Sequence, residues 1–126
     1  MKGTDLNIQV STGYAATAHA DTDPGRAEAL VLSRLAAGMI RASGLGKLGF
    51  AALATAVHEN RRFWRMAALD LAGEGNELPQ GLRVQLLSLA QFVEQETARV
   101  LQGGKNAEAL IEVNRAIARG LFERPG

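Results

Sequence analysis

Along most of the chain, apolar residues recur every three or four positions, the spacing that stacks side chains on one face of an α-helix. The first stripe, Ala27, Leu30, Val31, Leu35, Ala36 and Met39, follows Asp23-Pro24, an N-cap residue with proline at the first helical position. That helix should end near Ser43, where Gly44 and Gly46 follow. A second, from about Lys47 to Ala72, carries Phe50, Leu53, Val57, Asn60, Trp64, Ala67 and Leu71 on one face and breaks at Gly73-Glu74-Gly75-Asn76. Leu78-Pro79 opens a third, running to about Gln102, with Leu82, Leu86, Leu89, Val93, Glu96 and Val100 in its stripe. Gly103-Gly104 ends it, and Asn106 can cap a fourth helix bearing Leu110, Val113, Asn114, Ile117 and Leu121. Amphipathic helices joined by short glycine-bearing loops predict an all-α fold, an antiparallel bundle of about four helices.

Residues 1–22 depart from this pattern. They are small and polar, and although Leu6, Ile8 and Val10 alternate, nothing else in the chain looks like a strand to pair with them. We expect a flexible N-terminal arm with Tyr14 as its anchor, ahead of a helical domain over 23–124.

Composition narrows the function. At 126 residues the chain has the size of one domain with a single core. Hydrophobic residues make up 47% but aromatic residues only 5%, so the core must be built from Leu, Val, Ile and Ala. Without cysteine there is no disulfide and no thiolate metal site. The balance of 14 basic and 13 acidic residues leaves a net charge of +1, which is no polyanion-binding signature. No apolar run approaches the roughly 18 residues of a membrane span. The N-terminus also lacks the basic-then-apolar order of a signal peptide. A soluble cytoplasmic protein with no membrane insertion is the expectation.

Catalytic motifs fail on context. Gly44-Leu45-Gly46-Lys47-Leu48-Gly49 spells G-x-G-x-x-G with Asp70 downstream. A dinucleotide site, however, needs strands around that loop, and here the pattern puts helices on both sides. His19 and His58 are the only histidines, and no H-E-x-x-H or E-x-x-H pair accompanies them. Ser33, Ser43 and Ser88 lie in helical patterns, with no strained elbow. Glu94, Glu96 and Glu108 read as solvated helix-face carboxylates rather than an acid–base pair. We expect no enzyme, no cofactor and no metal.

The chemistry that stands out is His58-Glu59-Asn60-Arg61-Arg62-Phe63-Trp64, with Arg65 next to it. Asn60 and Asn114 occupy stripe positions where a leucine would be the default, and a buried amide left unpaired costs about 1–3 kcal/mol. Each either bonds across the bundle or meets a partner helix. Trp64 and Phe63 are either core or an interface hot spot, and tryptophan and arginine are the types enriched there. The candidate partner-binding residues are Asn60, Arg61, Arg62, Trp64, Arg65 and Asn114. Arg62 is the best outward-facing one, lying about 200° around the helix from both Asn60 and Trp64. A direct RNA contact through arginines and aromatics is the alternative.

Taken with Asp70, Asn76-Glu77-Leu78-Pro79, Leu82-Arg83, Leu89-Ala90-Gln91-Phe92-Val93, Thr97, Val100-Leu101, Gly103, Leu110-Ile111-Glu112-Val113-Asn114-Arg115 and Gly120-Leu121, this segment resembles the FlaF family. These are flagellar biosynthesis regulators of alphaproteobacteria, and the resemblance runs from about Tyr14 to Leu121. It departs from the family pattern at Phe63, Gln95-Glu96 and Ala109. The resemblance implies a cytoplasmic protein that binds newly made flagellin and promotes its synthesis and export, as a chaperone and regulator. It implies work alongside FlbT and the flagellar export machinery. The alternative reading becomes a direct RNA-binding translational regulator of flagellin messenger RNA.

Overall fold

A computed structural model of the protein describes residues 24–122, with side chains over 25–120. The expected arm, residues 1–22, lies outside the described residues. Helix α1 spans Pro24–Ser43, α2 Phe50–Ala72, α3 Gln80–Leu101 and α4 Glu108–Phe122, with a short 3-10 turn, Gly46–Gly49, between α1 and α2. No strand occurs among the described residues.

Each junction has a local cause. The G-x-G-x-x-G segment is a corner between helices. Gly46 takes a left-handed φ of 67°. Gly49 is buried so tightly that an added Cβ would come 2.3 Å from Leu45 Cβ and 3.1 Å from the Ala42 carbonyl oxygen. These demands make residues 46–49 a 3-10 turn where the apolar period alone predicts α-helix from Lys47. Between α2 and α3, Asn76 organises the loop. Its Nδ2 donates to Asp70 Oδ2 at 3.1 Å, and its Oδ1 accepts from the Leu78 N–H at 3.0 Å. Between α3 and α4, Gly103 adopts φ 86°, and Asn106 Oδ1 accepts from the Glu108 N–H at 3.0 Å, as its capping role predicts.

The helices form the expected antiparallel bundle. Helix α1 lies along both α4 and α2, and α2 lies along α3, while the α3–α4 side is the most sparsely packed of the four. The core draws Leu32 and Met39 from α1, Val57 and Trp64 from α2, Val93 and Val100 from α3, and Leu110 and Ala118 from α4. Three stripe residues depart from expectation: Leu30 of α1 is 48% exposed, and two others stand at helix starts. Phe50 is 45% exposed and Leu82 is 37% exposed. Both lie in the first turn of their helices. Periodicity fixes which way a side chain points but not whether a neighbouring helix reaches that far.

Candidate partner-binding site

Helix α2 brings Asn60 and Trp64 onto the same face one turn apart, and both go inside. Asn60 is fully buried and Trp64 nearly so. Asn114 of α4 is fully buried opposite them. The Trp64 Nε1–H donates to Asn114 Oδ1 at 3.0 Å. Asn114 Nδ2 donates to Asn60 Oδ1 at 2.7 Å and to the Leu32 carbonyl oxygen on α1 at 3.2 Å. The order of donors and acceptors is forced. An indole N–H only donates, so the Asn114 oxygen must face it. Its amide nitrogen then faces two acceptors, the Leu32 carbonyl and the Asn60 oxygen. One amide thus ties three helices together. The other amide end of the network, Asn60 Nδ2, is buried without a hydrogen-bond partner.

The arginines divide. Arg65 clamps Glu94 of α3 with both arms of its guanidinium: Nε donates to Oε1 at 2.8 Å and Nη2 to Oε2. Arg61 lies 3.9 Å from the same carboxylate and donates to His58 Nδ1 at 2.8 Å. That bond requires the neutral ring tautomer with its proton on Nε2. The Arg65 hydrogen bond, with help from the charges of both arginines, holds the Glu94 carboxyl below its ordinary range. The same contact raises the Arg65 guanidinium above its already high value. Arg62 points outward and has no ion pair or hydrogen bond among the described residues. Positions 62, 66 and 69 share one face of α2, and there Met66 is 44% and Leu69 77% exposed.

Two carboxylates were harder to place from sequence. Glu94 is only partly exposed and fully engaged across the α2–α3 seam. Glu96, expected to be solvated, is 1% exposed. It accepts from Arg99 Nη1 at 3.0 Å, and its Oε2 lies 3.2 Å from Lys105 Nζ in the α3–α4 loop. That second contact is an ion pair without hydrogen-bond geometry, since Oε2 has no hydrogen-bond partner. Glu96 was visible in the sequence as an acid at an apolar-stripe position. Lys105, the loop cation that accompanies it, follows no periodicity.

The six residues therefore separate into three interior groups, Asn60, Trp64 and Asn114, and three arginines at the rim. Among the described residues no group of His, Cys, Asp or Glu could hold a metal. No described helix is long and apolar enough to cross a membrane.

No curated protein and no solved structure matches the chain. The family model described as flagellar protein FlaF matches residues 10–121, which takes in all four helices nearly to the end of α4 and both asparagines of the buried network. The chain belongs to the FlaF family of flagellar proteins.

Proposed function

We propose that this protein binds flagellin in the cytoplasm and promotes its synthesis and export, and that the outer face of α2 is the docking surface. The observation that carries the reading is the position of Arg62. It is the one arginine of the motif without a partner among the described residues, and it shares a face with exposed Met66 and Leu69. A cation beside two apolar side chains suits an amphipathic helix with an acidic residue at the edge of its apolar stripe. Flagellin, a chaperone client before assembly, is the partner that the family suggests. Asn60, Trp64 and Asn114 serve this surface from behind by fixing α2 against α1 and α4. Arg61 and Arg65 do so by tying it to α3.

The RNA alternative has less support. Arg65 and Arg61 are drawn to Glu94 and His58, and the Trp64 ring that would stack on bases is buried. Transfer of flagellin to the export machinery, and cooperation with FlbT, belong to the same reading. A surface contact built on one exposed charge and two apolar side chains releases its client readily.

Arg62→Glu tests the surface. The melt should stay nearly unchanged, because an isolated surface charge contributes about 0–1 kcal/mol. Flagellin affinity, measured by calorimetry, should fall roughly tenfold or more as an attraction becomes a repulsion. Undiminished affinity in a folded variant would move the site off α2.

A further inference from the structure

The α1–α2 corner has no place in the function above, and it exposes three large apolar side chains in one short segment. Leu48 is 99% exposed, Leu45 60% and Phe50 45%, all within six consecutive residues. Monomeric proteins expose scattered leucines without consequence, but a contiguous apolar point bordered by charge marks an interaction site. Along the chain the flanking charge has one sign. Arg41 and Lys47 are exposed and have no ion-pair partner among the described residues. No acidic residue occurs anywhere between Glu28 and Glu59. The corner is therefore a basic segment with leucines at its tip.

We propose that this corner is a peripheral membrane contact, seating Leu45, Leu48 and Phe50 among the acyl chains of a bilayer whose anionic headgroups meet Arg41 and Lys47. The shape selects lipid over protein. A side chain 99% exposed is a projection with nothing beside it. A protein would need a matching pocket, whereas a bilayer accepts an apolar projection anywhere along its surface. The charge selects anionic lipid, because each basic residue near such a surface adds to the attraction and no carboxylate within the segment opposes it. The contact is interfacial, since no described helix is long and apolar enough to cross. The geometry leaves the flagellin surface accessible. Leu69 lies roughly 30 Å along α2 from Phe50 at 1.5 Å per residue, so a molecule standing on this corner holds its client away from the bilayer.

The test is flotation of the full chain with vesicles of equal parts phosphatidylglycerol and phosphatidylcholine, against vesicles of phosphatidylcholine alone. The protein should float with the anionic vesicles, release as salt is raised, and ignore the neutral ones. Leu48→Ser and Lys47→Glu should each weaken binding roughly tenfold or more. Both should keep the wild-type melt and flagellin affinity, since neither side chain is packed inside. The proposal fails if the wild type ignores anionic vesicles, if it binds neutral vesicles equally well, or if Leu48→Ser floats like the wild type. Loss of motility in a Leu48→Ser strain, with a wild-type protein that ignores both vesicles, would assign the corner to a protein partner and overturn the membrane contact.

Discussion

Asn114 has a larger structural role than Asn60, although the two look alike in sequence. Asn114 satisfies Trp64, reaches the α1 backbone and anchors Asn60, whereas Asn60 accepts one bond and leaves its own amide nitrogen unpartnered. Asn114→Ala strands the buried indole N–H and removes the amide that bonds Asn60, each stranded group costing about 1–3 kcal/mol. Asn60→Ala removes one acceptor from a nitrogen that still has the Leu32 carbonyl, and it also removes an unsatisfied donor. Urea unfolding should therefore show Asn114→Ala as distinctly the more destabilising of the two. Equal losses would mean that the network does not act as drawn. The sequence exposed both asparagines as misfits in apolar stripes, which is why they could be singled out. Which of them carries the network depends on where a backbone carbonyl of α1 falls, and no spacing within α2 or α4 encodes that.

At the scale of elements, the bundle depends on its junctions and seams. Gly49 is needed for space, not for φ, because Leu45 lies where its Cβ would go. Gly49→Ala should lower the melting temperature clearly, and should cost less in a Leu45→Gly background, where the clashing Cβ is gone. A double-mutant cycle with no coupling would contradict the close approach. The α2–α3 side responds to pH through two carboxylates shifted in opposite directions. Glu94 is held below its ordinary value by Arg65, so its contribution is present above the unfolded carboxyl value and is lost as pH falls through the lowered folded one. Exposure of the pair keeps that contribution small and salt-sensitive. Asp70 is raised, chiefly by burial and against the bond from Asn76, so it disfavours folding increasingly as pH rises from the ordinary aspartate value through its raised one. Glu94→Gln should therefore be less stable than wild type at neutral pH, with the gap closing in acid. Asp70→Asn should compare better with wild type above its window than below it. Melting temperatures across a pH series read both. Helix order and limits were legible because proline, glycine and the apolar period mark them. The 3-10 corner was not, since it arises from one side chain, Leu45, meeting a glycine four positions further along.

For the whole molecule, the family and the bundle were readable from ordered motifs and stripes. The division of the arginines was not, because Glu94 is distant in sequence and looks like any helix-face acid. A consequence follows from the placement of the single tryptophan. Trp64 is 4% exposed, with its N–H on Asn114, at the seam that α1, α2 and α4 share. The protein therefore has a built-in optical reporter at one known place. If a client helix rests on the outer face of α2, intrinsic tryptophan emission should keep its short buried wavelength through a titration with a tryptophan-free flagellin peptide. If the client instead wedges between helices, the indole loses its amide and meets water, and the emission moves to the red. One unlabelled titration thus distinguishes a bundle that stays closed around its cargo from one that opens to admit it.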